Sequence, residues 1–451
     1  MPVALVILAA GQGTRMKSDL PKVLHRVAHA PLLAHAMRAG ATLSPDRTVV
    51  VMGHGADAVA DAAHEIDGDA HVVIQTERKG TAHAVDQARD ALKDFDGDVV
   101  VLYGDTPFIR PETLDSMVAA RATHDIVILG FDAADPGRYG RLVTDGDRLD
   151  RIVEFKDATD EERAITLCNS GVLACDAATL FDLIAGVGND NASGEYYLTD
   201  IVALARERGL SATAVTCDEV ETMGVNSRAD LATAEAVFQR RARAALLDAG
   251  VTLLAPETVF LSHDTVIGRD AVIEQNVVFG PGVTVETGAL IHPFTHLEHC
   301  HVSRGAEIGP FTRLRPGAEL AENVKVGNFV EIKNSEIAAG AKVNHLSYVG
   351  DASVGERANI GAGTITCNYD GVMKHRTTIG ADAFIGSDTM LVAPVTVGNR
   401  AMTASGAVIT ADVEDGALAM ARTPQQNKPG RAIRLMEMLR AKKARRDQET
   451  G

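Results

Sequence analysis

From Ile267 onward an apolar residue returns at every sixth position: Ile267, Ile273, Phe279, Val285, Ile291 and Leu297. The phase slips by one and continues through Val302, Ile308, Leu314, Leu320, Val326 and Ile332. Ile337, Val343 and Val349 follow, then Val354 and Ile360, and after a break Ile379, Ile385, Leu391 and Val397. With 46% of the chain hydrophobic, six successive hits arise by chance in about one run in a hundred, and here two such runs are consecutive. A helix repeats every 3.6 residues and a strand every 2, so this period fits neither. It fits a triangular solenoid, in which each six-residue unit gives one short strand and one turn and three units close a coil. Val251 to about Arg422 leaves room for roughly nine coils stacked about 4.8 Å apart. The inward apolar residues are core, so chemistry must come from the outward polar positions and the interruptions. The register is lost between Thr366 and Ile379, which predicts a loop projecting from a rigid prism.

The residues before the repeat follow a different pattern. Val3–Ala9, Thr48–Met52, His71–Ile74, Val99–Tyr103 and Asp125–Leu129 are short β-rich runs. Ala-rich helical stretches such as Thr81–Leu92 and Pro111–Ala122 alternate with them. Alternating strands and helices predict an α/β unit, a mostly parallel sheet covered on both faces. Asp230–Leu247 has no Gly or Pro and is rich in strong helix formers. It predicts one long connecting helix that ends at Gly250. The expected division is 1–228, a linker helix 229–249, and 250–451.

Charge and composition remove several function classes. A net charge of −17 suits neither DNA nor an anionic membrane. With 4% aromatic residues and no Trp, stacking on single-stranded nucleic acid is not expected. The five cysteines are never spaced C-x-x-C, which predicts neither a disulfide framework nor a zinc site and fits a reducing cytosol. Met1–Ala10 lacks the basic flank of a signal peptide, and no run reaches the length of a membrane span. From Lys428 onward eight Lys/Arg face three Asp/Glu; this basic tail reads as a solvated helix or as a clamp on an anion, and it carries no catalytic assignment.

Two places carry motifs with chemistry. Leu8-Ala9-Ala10-Gly11-Gln12-Gly13-Thr14-Arg15-Met16 follows a buried strand, and such a turn can present backbone N–H groups to phosphate. Met16 stands where G-x-G-x-x-G needs its last Gly, and G-K-[ST] is absent. Arg15 and Lys22, the latter in Leu20-Pro21-Lys22-Val23-Leu24, are cations suited to a triphosphate. In the solenoid the marked segments are Arg313–Gly317, Asn328–Lys333, Asn344–Gly350 and Ala362–Gly371. Among 15 histidines, His345 is singled out because Glu331 and Lys333 lie close to one coil before it, an offset that predicts stacking against it; His292, His296, His299 and His301 are passed over.

The string L-A-A-G-x-G-T-R-M followed by D-L-P-K-V-L resembles the signature of sugar-1-phosphate nucleotidyltransferases. Further matches follow in order: Gln75 with Gly80-Thr81, Tyr103-Gly104-Asp105, Tyr139-Gly140-Arg141, Val153-Glu154, Asn169-Ser170-Gly171, Glu195–Asp200 and Val225-Asn226. With the solenoid segments, nearly the whole chain resembles the family of bifunctional N-acetylglucosamine-1-phosphate uridyltransferase/glucosamine-1-phosphate N-acetyltransferases. The resemblance implies a Rossmann-like nucleotidyltransferase domain and a left-handed parallel β-helix of hexapeptide repeats. It also implies a cytoplasmic homotrimer acting on glucosamine-1-phosphate, N-acetylglucosamine-1-phosphate, UTP and acetyl-CoA with Mg²⁺, in the supply of bacterial cell-envelope precursors.

The same resemblance implies the residue roles. Leu8, Ala9, Ala10, Gly11, Arg15 and Lys22 serve the nucleotide and its charge, and Gln75, Gly80 and Thr81 the uracil. Tyr103, Gly104, Gly140, Glu154 and Asn169 serve the nucleotide and sugar, and Asp105 and Asn226 hold the metal. His345 is the general base for acetyl transfer, a role that suits a neutral imidazole near pH 7; Glu331 orients it or favours its protonated form. Arg315, Lys333, Tyr348, Asn359 and Lys374 bind glucosamine-1-phosphate. Ala362, Asn368, Tyr369, Ser387, Ser405 and Arg422 contact acetyl-CoA, and Ser387 is placed to hydrogen-bond an oxyanion. Two other readings stay open: a nucleotidyltransferase whose solenoid only oligomerises it, and a non-catalytic sugar-nucleotide sensor.

Overall fold

The computed structural model describes residues 1–53 and 55–449. It divides into two compact units, residues 1–245 with 261–263, and 246–260 with the residues from Asp264 onward.

In the first unit nine strands form one sheet: β1 (Val3–Ala9), β2 (Arg47–Met52), β3 (His71–Ile74), β4 (Asp98–Tyr103), β5 (Ile126–Asp132), β6 (Arg141–Asp145), β7 (Arg148–Val153), β8 (Leu167–Asp176) and β9 (Ala212–Cys217). Their order is β9-β5-β8-β4-β1-β2-β3, with β6 against β8 and β7 against β6. β1 is parallel to β2 and β4, whereas β8 runs antiparallel between β4 and β5. All seven residues of β1 are buried, as in a strand covered on both faces. Alternate residues feed two cores, Ala4, Val6 and Leu8 one, and Val3, Leu5, Ile7 and Ala9 the other.

The helix expected over Thr81–Leu92 stops at Asp86 and resumes as a 3₁₀ turn at Asp90–Leu92. Gln87 and Ala88 donate to Ala84 and Val85, tightening the chain out of the α pitch. The long helix runs Arg228–Asp248. A reciprocal cap starts it: Asp230 N–H donates to Ser227 Oγ (3.2 Å) and Ser227 N–H to Asp230 Oδ2 (2.9 Å). Gly250, at φ 86°, ends it.

In the second unit three parallel sheets share the coils. The first has ten strands, from Thr252–Leu253 to Leu418–Ala419. The second runs from Val278–Phe279 to Val408–Ile409 and the third from Val266–Ile267 to Val395–Val397, with eight strands each. The residues of the six-residue period are the buried ones, among them Ile273, Phe279, Val285, Ile291 and Leu297. The chain leaves the prism after Cys367 and rejoins it at Thr377, inside the expected break.

The corner between the first and second sheets is turned by residues with left-handed backbone, Phe294, Phe311, Phe329 and Leu346 in successive coils. That conformation is uncommon for bulky side chains. The three rings stack outside the prism, with centroids 4.8 Å apart for Phe294–Phe311 and 5.3 Å for Phe311–Phe329. The stack returns part of the conformational cost, since such ring pairs are worth about 0.5–1.5 kcal/mol.

Candidate active sites

In the first unit the site forms where β1 and β4 end. Gly104 N–H donates to Leu8 O (3.0 Å), and Asp105 follows directly. Lys22 reaches the same point and forms an ion pair with Asp105 Oδ2. It also donates to Asn226 Oδ1 at 3.1 Å. Asn226 is fixed there because its own N–H donates to Asp230 in the helix cap (3.0 Å) and Val225 N–H to Asp105 O (3.0 Å). Residues 22, 105 and 226 therefore meet around one ammonium. Both oxygens already point at a cation, so the donor set fits a hard metal that draws its remaining ligands from phosphate and water.

A cavity of about 330 Å³ opens beside this cluster, and Leu8, Ala10, Gly11, Lys22, Gln75 and Asp105 are among its lining residues. Gln75 is buried; its amide nitrogen donates to Gly80 O (3.2 Å) and meets His83 Nδ1 (3.0 Å). A backbone carbonyl can only accept, so the Gln75 carbonyl oxygen is the end left for a ligand. Gly80, at φ 114°, lets the backbone pass against Tyr196, where a Cβ would strike the Tyr196 carbonyl. Thr81 Oγ1 accepts from Leu198 N–H (2.9 Å), pinning the same crossing. Ala9 points into the core, and Arg15 is exposed on the turn Thr14–Met16.

Tyr103 also lines this cavity, and Glu154 lines a second one of about 470 Å³. Burial first, and then the charges of Asp105 and Glu154, push the Tyr103 hydroxyl pKa up. Asn169 N–H donates to Gly140 O (2.9 Å), and Gly140 lies against the Glu154 carboxylate. Burial raises the Glu154 pKa, a hydrogen bond from Thr199 (3.2 Å) opposes it, and Asp200 and Asp157 add to it. Arg141, matched with the sugar-pocket segments, is buried instead and donates to the carbonyls of Pro136, Gly137, Tyr139 and Arg163. It ties down the loop that carries Gly140.

In the second unit the candidates fall on two corners and two faces of the prism. His345, Ala362, Ser387 and Ser405 each stand two residues past the buried residue of a first-sheet strand: Val343, Ile360, Ile385 and Thr403. One corner thus displays them, one per coil. Their carbonyls form a ladder: Gly363 N–H donates to His345 O (3.2 Å), Asp388 to Ala362 O (2.7 Å) and Gly406 to Ser387 O (2.8 Å). Arg422 Nη1 donates to the last, Ser405 O (2.9 Å).

Arg315, Lys333 and Tyr348 lie on the second sheet. Arg315 pairs with Glu331 (2.7 Å). Tyr348 covers Gly350, which is the register partner of Lys333; a side chain at 350 would collide with the phenol ring. Lys333 lies against Lys374, and that contact first, then burial, holds its pKa below the usual lysine value. Asn359 pairs with Lys342 and Phe384 on the first sheet, so a single chain does not bring it to Arg315, Lys333 and Tyr348. Asn368 and Tyr369 stand at the corner between the second and third sheets, away from Ala362 and Ser387.

The expected stacking of Glu331 and Lys333 on His345 is corrected. The coil is 17 residues here, so Glu331 faces Tyr348 and Lys333 faces Gly350. Offsets of fourteen and twelve residues land on a different face. The residue one coil from His345 is Asn328, whose Oδ1 meets His345 Nδ1 at 2.8 Å. A repeat measured at 17 rather than 18 residues is the signal that points to Asn328.

Comparison with known proteins agrees with both halves. Residues 5–169 match the model of the MobA-like NTP transferase domain, and residues 376–411 match the bacterial transferase hexapeptide model (six repeats). The chain is 73% identical over 450 residues to the "Bifunctional protein GlmU" of Ruegeria pomeroyi, spanning 100% of both chains. It is 72% identical over 444 residues to the protein of that name in Ruegeria sp. (strain TM1040), spanning 98% of this chain and 99% of the relative. For the one in Jannaschia sp. (strain CCS1) the figures are 66% over 440 residues, 98% and 97%. Likeness of this extent along both units leaves one conclusion, that the chain belongs to the GlmU family of bifunctional transferases.

Proposed function

We propose that the chain makes UDP-N-acetylglucosamine in two steps, one in each unit. In the solenoid the amine of glucosamine-1-phosphate attacks the acetyl-CoA carbonyl; the C–N bond forms, the C–S bond breaks and CoA leaves as the thiol. With Asn328 accepting from His345 Nδ1–H, the lone pair lies on Nε2, which takes the amine proton. Arg315, Lys333 and Lys374 hold the sugar phosphate, and the small residues at the corner of Ala362, Ser387 and Ser405 admit the acyl donor.

In the first unit a phosphate oxygen of N-acetylglucosamine-1-phosphate attacks the α-phosphorus of UTP and pyrophosphate leaves. The observation that carries this reading is the meeting of Lys22, Asp105 and Asn226. Two anions must approach each other, and Lys22 offsets their repulsion. Mg²⁺ held by Asp105 and Asn226 would add Lewis-acid neutralisation of phosphate charge. Gln75 offers its carbonyl oxygen to an N–H donor, which uracil has at N3.

The acetyl-transfer set is spread over two corners and two faces of the prism. That spread supports a homotrimer in which neighbouring prisms share each site. The exposed Phe294–Phe311–Phe329 strip is apolar surface suited to such contact. The five cysteines are free, which fits a cytoplasmic setting. Among the described residues no helix is long and apolar enough to cross a membrane.

One assay tests the reading: protein, glucosamine-1-phosphate, acetyl-CoA, UTP and Mg²⁺, with free thiol and pyrophosphate followed together. The expected result is both products, with pyrophosphate dependent on acetyl-CoA. Pyrophosphate from supplied N-acetylglucosamine-1-phosphate with no thiol at any stage would reduce the solenoid to a scaffold.

A further inference from the structure

The corner between the second and third sheets carries a side-chain ladder, one residue per coil: Asn334 at its exposed end, then the buried Asp351 and Asn368. Asn334 Nδ2 donates to Asp351 Oδ1 and Asn368 Nδ2 to Asp351 Oδ2. Asp351 is only 8% exposed and has left-handed backbone, φ 50°. A buried carboxylate needs such donors. Burial alone would raise its pKa, but the bonds from Asn334 and Asn368, then the charges of Lys374 and Lys333, hold it below the ordinary carboxylate value.

Asp351 also ties both ends of the loop that leaves the prism. Its carboxylate holds Asn368, where the chain departs, and its carbonyl accepts from Thr377 N–H (3.1 Å), where the chain returns. Between these anchors lie Tyr369 and Lys374. The loop closes on itself through His375 N–H to Asn368 O (2.8 Å) and His375 Nε2 to Asp370 Oδ2 (2.7 Å). Asp351 N–H donates to Lys333 O (3.1 Å), so the same residue is bonded to the backbone of the other lysine.

We infer that Asp351 is a positioning residue for acetyl transfer: it fixes the 368–376 loop so that Lys374 meets Lys333, and it sets a carboxylate beside the two lysines to offset their mutual repulsion. The inference rests on the acetyltransferase reading of the solenoid. It assigns Asp351 no contact with substrate. Its effect passes through the two lysines that receive the sugar phosphate.

The test is Asp351→Asn. Asparagine keeps the size, but it loses the charge and offers one acceptor to two amide donors. KM for glucosamine-1-phosphate in the acetyl-transfer assay is expected to rise about tenfold or more, with a smaller change in kcat. With Asp351 gone, Lys333, which faces Lys374 and Arg315, loses its proton at lower pH, so the alkaline loss of sugar-phosphate binding moves to lower pH. The double variant Asn334→Asp/Asp351→Asn restores one carboxylate and a full set of donors in the same column, and KM should return to within about threefold of wild type. Uridyl transfer by the same samples should not change. Wild-type thiol release tests the underlying reading separately, since its absence sinks that reading whatever Asp351 does. If wild type is active and the Asp351→Asn variant matches it in KM and pH profile, the inference is overturned. It is equally overturned if the variant loses only thermal stability, or if the double variant is no better than the single one.

Discussion

The two units assemble chemistry in opposite ways. In the first, Lys22, Asp105 and Asn226 are far apart in sequence and meet because a 3₁₀ turn, a strand end and a helix cap converge on one point. In the second, neighbours in space are one coil apart in sequence, as Asn328 and His345 are, and a site is written down a column. A convergent site depends on every element that reaches it. A column depends on coil length, so one residue gained or lost in a coil moves a side chain to another face.

The sharpest way to break this contrast is to disable each unit and assay both. Lys22→Ala should lower uridyl transfer about 10²–10³-fold, and His345→Ala should lower acetyl transfer about 10²–10⁴-fold. Each should leave the other reaction nearly intact, as measured by pyrophosphate and thiol release. Parallel loss of both activities in either variant would join what we describe as separate. A smaller effect tests convergence itself. Gly80→Ala puts a Cβ into the Tyr196 carbonyl at a left-handed position, and the shifted crossing should cost about 10²-fold in uridyl kcat/KM. Acetyl transfer serves as the internal control.

The solenoid predictions concern stability. Phe311→Ala removes both ring contacts of the corner stack and should cost about 1–3 kcal/mol in urea unfolding of the full chain. The weakest effect is at His292, which bridges Glu274 (3.0 Å) and Glu307 (3.3 Å) from the coils on either side. Burial lowers its pKa, but the two glutamates outweigh burial and raise it. A raised folded pKa gives stability that is complete below the unfolded value, about 6.5, and is lost as pH rises through the folded value. Melting temperature should therefore fall between about pH 6 and pH 8, by an amount in keeping with the 0–1 kcal/mol of a half-exposed ion pair. In His292→Gln that slope should flatten.

Much of the architecture was legible in the sequence because repetition leaves a mark. The inward residues from Ile267 to Val397 are the buried ones, and the break after Thr366 is a loop. β1 and β3 fall at the residues where apolar runs begin and end. What escaped depends on measures the sequence does not print. The antiparallel entry of β8 between β4 and β5 has no signature in its own residues. The 17-residue coil displaced Glu331 from His345 and put Asn328 there. Phe294, Phe311 and Phe329 recur at coil spacing, yet a search for inward residues passes over them because they point out. Asp351 was hidden because its partners Asn334 and Asn368 are each one coil away, a relation that only the measured coil length reveals. Individual roles at the convergent site rested on resemblance, because residues 22, 105 and 226 share no spacing that links them.

The corner ladder has one more consequence. A stack of parallel coils ends in open strand edges, each able to template another strand, and natural proteins must block that growth. At the corner of His345, Ala362 and Ser387, each carbonyl is taken by the coil above. The Ser405 carbonyl is taken instead by the Arg422 guanidinium. A charged side chain takes the place of the next backbone donor in this column, so a foreign strand could use this acceptor only by displacing a cation. The last acceptor of the column is thereby closed by the residue that resemblance places beside the acyl donor.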